Sequence, residues 1–244
     1  MTAAGRCGTI GAVPFLAGTT GRLHYRHRPV DGAVAALVFA HGIRQHTGNY
    51  HRFAHRLAGH GIALWGLDLA GHGLSEGEPD AAGDVAAHAA DLALLAGIAE
   101  TDGLPAVVMG HSLGAASVLR LLCDGDADRF AAAVLCGTPR TAAVAATAEA
   151  LAELRLPVLA VHGVDDRLAP VDSVRDWASA IRTVRWREYA DAGHDLLHEP
   201  VHRVVTDDVA AFVLDATRRA PVRSVPGRGA ERVPRAERGT CGQE

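Results

Sequence analysis

Short apolar runs that alternate with segments of helical period leave this chain few architectures. Ala35–Ala40 and Ile62–Leu67 are continuously apolar or small and too short for helices, so they read as buried strands. Ala106–Met109, Ala131–Cys136, Pro157–Val161 and Val184–Tyr189 read as further strands, and Gly18–Arg28 as an opening hairpin. Between them, Gly48–Gly59, Asp84–Glu100, Leu113–Cys123, Val171–Ile181 and Val201–Ala216 carry helical spacing. Thr141–Leu154 is Ala-rich and also expected to be helical. Strand–helix alternation of this kind predicts the α/β class, a mostly parallel, doubly wound sheet with helices on both faces.

A chain of 244 residues suits one such domain. Hydrophobic residues make up 48% and aromatics 5%, so the core must be built mostly of Ala, Val and Leu. Residues 1–217 hold an excess of acids over arginines, a net of −8, which makes the body a poor nucleic-acid binder. After Arg219 apolar periodicity stops and Pro, Gly and Arg dominate. The expected organisation is a catalytic domain over 1–219 and a disordered tail over 220–244. No stretch reaches the ~18 apolar residues of a membrane span, so no stable membrane insertion is expected. The opening residues lack the pattern of a secretory signal. The four cysteines have no metal-type spacing, and Cys123 and Cys136 fall in apolar segments as expected buried thiols. A reduced, cytoplasmic protein follows as the expectation.

The sharpest local signal is Gly110-His111-Ser112-Leu113-Gly114, a G-x-S-x-G set between an expected strand and an expected helix. A sharp strand-to-helix turn strains the serine backbone, and only small residues two positions away on each side leave room for it. Ser112 would then project above the carboxyl edge of the sheet, with the helix N-terminus aimed at a developing oxyanion. A serine hydroxyl needs a base, and a base needs a carboxylate to hold its tautomer. In this turn type the chain order is serine, acid, histidine. Of 14 histidines, only His194 combines that order with a position after the final strand and a preceding glycine turn. His24, His27, His51, His55, His60, His88, His198 and His202 sit where exposure is expected, and His162 at a strand end reads as packed. His51 and His55 are four apart on a helix, but no acidic third ligand accompanies them, so no metal site is assigned. Asp165 and Asp166 lie in one loop, and either could orient His194.

Together these residues resemble the monoacylglycerol lipase branch of the α/β-hydrolases, which also holds lysophospholipase-like and esterase members. His41-Gly42-Ile43-Arg44-Gln45-His46-Thr47-Gly48-Asn49-Tyr50 is similar to its H-G-x-x-E-H-S-x-R-Y loop. Asp68-Leu69-Ala70-Gly71-His72-Gly73-Leu74-Ser75-Glu76-Gly77 is similar to D-x-x-G-H-G-x-S-x-G, and Gly163-Val164-Asp165-Asp166-Arg167 to G-x-x-D-R. Ala192-Gly193-His194-Asp195-Leu196-Leu197-His198-Glu199 is similar to the segment holding the branch's catalytic histidine. The resemblance spans about residues 20–215. It implies the α/β-hydrolase fold, Asp166 as the acid of a Ser112–His194–Asp166 triad, and the backbone amides of Ile43 and Leu113 as the oxyanion hole.

Two departures stand out. Gln45 replaces the usual Glu. The helical cap of several dozen residues is reduced to Thr138–Arg155, 18 residues, a minimal lid with room for about one helix.

Three functions fit these residues. The first is a serine esterase acting on a small or medium acyl substrate, with no metal or organic cofactor. The second is a biosynthetic thioesterase or acyltransferase using the same three groups. The third is a non-catalytic binding protein on the same fold.

Overall fold

The computed structural model describes residues 13–79, 82–145 and 155–219. The expected tail at 220–244 and most of the Ala-rich segment, residues 146–154, lie outside the described residues.

The strands are β1 (Phe15–Ala17), β2 (Arg22–Arg28), β3 (Ala35–Ala40), β4 (Ile62–Leu67), β5 (Ala106–His111), β6 (Ala132–Cys136), β7 (Val158–Gly163) and β8 (Val184–Tyr189). The helices are α1 (His51–Gly59), α2 (Val85–Ala99), α3 (Leu113–Cys123), α4 (Arg140–Ala145), α5 (Val171–Ser179) and α6 (His202–Arg219). They form one sheet in the order β1-β2-β4-β3-β5-β6-β7-β8. The opening hairpin joins antiparallel to β4, and every pairing from β4 to β8 is parallel. This is the mostly parallel, doubly wound α/β sheet that the sequence predicts, the architecture expected of an α/β-hydrolase fold.

The period-two pattern of the strands explains how both faces are covered. In β3, Ala36, Val38 and Ala40 point to one side, where α2 and α3 supply Leu92, Leu95, Val118 and Leu122. Ala35, Leu37 and Phe39 point to the other, against Phe53 and Leu57 of α1 and Val209 and Val213 of α6. A strand buried on both faces has no polar position to lose, which is why β3 to β7 read as continuous apolar runs. The scarcity of aromatics shows here as well: around β5 the core is Val107, Val108 and Met109.

The two rims differ from the centre. β1 is three residues long. On β8, the exposed Arg185 and Arg187 alternate with half-buried residues and are ion-paired to Asp215 and Asp208 of α6.

Several expectations need correction. The strand expected over Ala106–Met109 does not end before Gly110; β5 continues through Gly110, paired to Ala40 and Leu135, as far as His111. The glycine is there for space rather than for a turn. Cys123 is exposed, because it falls on the outer side of the last turn of α3, whereas Cys136 is buried as expected. His24 and His88 are buried, not exposed. His24 is enclosed beside Asp68, and His88 reaches back from α2 to the Ala82 carbonyl.

Candidate active site

Ser112 sits between β5 and α3 with φ 51° and ψ −111°. A non-glycine residue in that region stores of order 1–3 kcal/mol of strain, which persists only when the surroundings hold it. Its N–H donates to the Cys136 carbonyl (2.9 Å), and its carbonyl accepts from Ala116 N–H (3.1 Å). The flanking glycines are a steric necessity. A Cβ on Gly110 would lie 2.1 Å from the Gly114 backbone, and one on Gly114 would lie 2.1 Å from the Ala40 carbonyl oxygen. Any side chain at either position would force the backbone of the turn apart.

The loops after β7 and β8 converge on this turn. His194 Nε2 lies 2.8 Å from Ser112 Oγ, and His194 Nδ1 lies 2.7 Å from Asp166 Oδ2. A carboxylate only accepts, so Nδ1 carries the proton and donates it, which leaves the Nε2 lone pair facing the serine hydroxyl. The other carboxylate oxygen, Asp166 Oδ1, accepts from Leu168 N–H (2.9 Å) and Ala169 N–H (2.8 Å). Burial alone would raise this carboxyl's pKa. Hydrogen bonds from His162, His194 and Ala169 outweigh it and hold the group well below the usual carboxylate range. Asp165 is exposed, and among the described residues only its amide is engaged, to the Ala192 carbonyl. The two loops meet backbone to backbone, since a Cβ on Gly163 would lie 2.1 Å from the Gly193 oxygen.

The sequence reading did not find the side chains that hold His194. Glu199 accepts from Gly193 N–H (2.6 Å) and Asp195 N–H (3.0 Å), clamping the amides on both sides of the histidine. His111 Nε2–H donates to the His194 carbonyl (2.9 Å). Glu199 was within view, five residues past His194. His111 is the variable position of G-x-S-x-G, and nothing in its neighbours announces a contact 83 residues away.

Gln45 joins these parts. Its Oε1 accepts from Gly42 N–H (3.2 Å) and from Tyr50 O–H, while its Nε2 donates to Asp195 Oδ1 (2.9 Å). A glutamate here would face Asp195 with no proton to give, so the amide fits this neighbourhood.

The loop after β3 is fixed by buried His41. Its Nδ1–H donates to the Gly42 carbonyl (2.7 Å) and its Nε2 accepts from Leu69 N–H (2.9 Å). Burial pushes its pKa down to about 4, as it does for His111, so both rings are neutral at pH 7. Gln45 N–H reaches the same Gly42 oxygen (3.1 Å). The peptide is planar, so pinning this carbonyl aims the Ile43 N–H the opposite way. Neither Ile43 N–H nor Leu113 N–H, at the start of α3, donates a hydrogen bond to a described residue.

Among the described residues no group of three His, Cys, Asp or Glu side chains is arranged to hold a metal; His51 and His55 are both exposed. No helix among them is long and apolar enough to cross a membrane. A cavity of about 330 Å³ lies along α3, lined by Val85, Ala116, Leu119, Cys123 and Ala142. Its nearest lining residue to the serine on that helix, Ala116, is one turn away.

The chain is similar to known proteins in sequence and in fold. The profile of the family described as Serine aminopeptidase, S33 matches residues 31–142. The chain is 27% identical to the monoacylglycerol lipase of Mycolicibacterium smegmatis, over 73% of this chain and 87% of that protein. It is 30% identical to the human monoglyceride lipase over 66% of this chain and 54% of that one. Among solved structures, an esterase from Rhodococcus superposes with TM-score 0.70 at 18% identity, covering 84% of this chain and 100% of that one. The monoacylglycerol lipase of Paleococcus ferrophilus superposes with TM-score 0.66 at 16% identity, covering 80% and 99%.

Proposed function

We propose, on the premise that this chain belongs to the α/β-hydrolase superfamily, beside the monoacylglycerol lipases, and is an ester-hydrolysing enzyme, that it cleaves carboxylic esters of small or medium acyl groups through an acyl-enzyme on Ser112. Ser112 Oγ attacks the ester carbonyl as its proton passes to His194 Nε2. Asp166 stabilises the imidazolium through Nδ1–H without taking the proton itself. The tetrahedral oxyanion is held by Ile43 N–H and Leu113 N–H. Collapse breaks the C–O bond, and the leaving alcohol takes the proton from His194. Water then gives a proton to the same Nε2 and attacks the acyl carbon. The second collapse releases the carboxylic acid and returns the proton to Ser112.

The observation that carries this reading is the unbroken hydrogen-bonded line from Ser112 Oγ to His194 to Asp166, at 2.8 and 2.7 Å. The reduced cap read at Thr138–Arg155 favours small or medium acyl groups.

The test is a panel of esters from acetate to palmitate, with a thioester and a monoacylglycerol, on the parent and on Ser112→Ala. Loss of turnover in S112A, with rates peaking at short or medium acyl length, is the expected result. Turnover that survives S112A would overturn the nucleophile, and preference for the thioester would move the assignment to acyl transfer chemistry.

A further inference from the structure

β7 ends in Val161-His162-Gly163, and the sequence reading took His162 as a packed residue. It is fully buried, but its ring does more than fill space. Nε2 lies 2.7 Å from the Ala169 carbonyl oxygen and 3.2 Å from Asp166 Oδ2. A carbonyl only accepts, so Nε2 carries the proton, and that proton is shared between Ala169 and the carboxylate. The ring's flank lies against Trp186 of β8, with centroids 5.6 Å apart and planes 26° from parallel. Its other nitrogen, Nδ1, has no partner among the described residues.

The unpartnered nitrogen makes this residue expensive as mere filling. A buried polar atom without a partner costs about 1–3 kcal/mol, which Leu or Phe at this position would avoid. What the imidazole supplies is the fourth donor to Asp166. With it, Oδ1 accepts from Leu168 and Ala169 amides, and Oδ2 accepts from His194 Nδ1 and His162 Nε2. Three of those donors lie in or next to the acid's own loop. They fix the carboxylate's rotation before His194 approaches.

We propose that His162 is a positioning residue for Asp166. Its Nε2–H fixes the Oδ2 on which His194 rests, and so sets the direction in which the imidazole faces Ser112. His162 touches neither the serine nor the ester. The proposal rests on the reading that Ser112, His194 and Asp166 carry the reaction.

Two variants separate the donor from the ring. H162F keeps a ring against Trp186 and removes the donor. H162Q places an amide N–H near the position of Nε2 and restores it. The expected result for H162F is a kcat about 10–100-fold lower, the range seen when an outer hydrogen-bond partner is removed, with KM on the same ester changed by less than about 2-fold. The low-field proton NMR signal of His194 Nδ1–H, read on resting protein without substrate, should move upfield in H162F. H162Q should return both quantities most of the way. If H162F does not fold, H162N against H162Q gives the same contrast, because the asparagine amide stops short of the carboxylate. An unchanged kcat and unchanged low-field signal in H162F would overturn the proposal, and so would a kcat lost in H162F but not recovered in a folded H162Q. Turnover surviving S112A would instead sink the underlying reading, whereas normal loss in S112A with H162F indistinguishable from the parent sinks this one alone.

Discussion

Two buried neutral histidines should make this protein acid-sensitive well above the range where its carboxylates titrate. His41 and His111 both have pKa values pushed down to about 4 by burial, against about 6.5 in an unfolded chain. Above pH 6.5 both states hold the rings neutral and stability is flat. As the pH falls through 6.5 the unfolded chain takes up protons that the native rings refuse, so native stability drops until about pH 4, where the native rings protonate too. The surroundings say why they refuse: His41 Nε2 faces the Leu69 N–H, and His111 is fully buried beside the His194 ring. Integrating between pH 7 and pH 5 gives a loss of about 2 kcal/mol per ring, about 4 kcal/mol for the pair. With a urea m-value of about 3 kcal/mol/M, the urea midpoint should fall by about 1.3 M over that interval. Asp166 does not blur the measurement. Its pKa is depressed, so its contribution is present above about pH 4 and fades only below it. The histidines with smaller downward shifts, His24, His27 and His198, act in the same direction. H111Q keeps an N–H for the His194 carbonyl and removes one titration, so its loss between pH 7 and 5 should be about 2 kcal/mol smaller. A parent midpoint that moves by less than about 0.3 M, or an H111Q profile parallel to the parent's, would refute the reasoning.

Three further outcomes are expected. D166N should leave the fold intact and lower kcat by about 10⁴-fold, because an amide no longer selects the His194 tautomer that faces Ser112 with a lone pair; kcat within 10-fold of the parent would move the acid elsewhere. G163A should cost about 1–3 kcal/mol in urea titration and lower turnover, since a Cβ there meets the Gly193 and Ala192 oxygens at 2.1 and 2.3 Å and must wedge the acid and base loops apart. Arg44 has φ 60°, so R44G should raise stability by about 1 kcal/mol at pH 8; a drop instead would show that the arginine side chain holds the loop.

The parallel core was legible because its signals are local. Ala35–Ala40, Ile62–Leu67, Leu113–Cys123 and Val184–Tyr189 have the bounds that their apolar pattern and flanking residues suggest. Gly110 misled because glycine marks both a break and a close approach, and only the Gly114 backbone behind it decides which. His24 and His88 misled because a histidine reads by default as exposed, while burial here depends on Asp68 and Ala82 from other segments. Ser112, Asp166 and His194 could be nominated because each sits in a short pattern at a strand end. Residue reading alone could not choose between Asp165 and Asp166; the resemblance chose, and only Asp166 reaches His194. Most of the groups that hold these three in place carry no local signal: Gln45 meets Asp195 across 150 residues, and no short pattern encodes such a meeting.

The two rims of the sheet bear on how this molecule behaves in a crowd. An open sheet ends in unpaired N–H and C=O groups that can template a strand from another molecule. Among the described residues, one rim consists of the three residues of β1 and the Tyr25–Arg28 stretch of β2 beyond it, where Arg26 and Arg28 are exposed. The other presents arginines on alternate positions, tethered to Asp208 and Asp215, so an incoming strand would have to displace ion pairs and lie beside charge. Concentrated solutions should therefore resist fibre growth from either side.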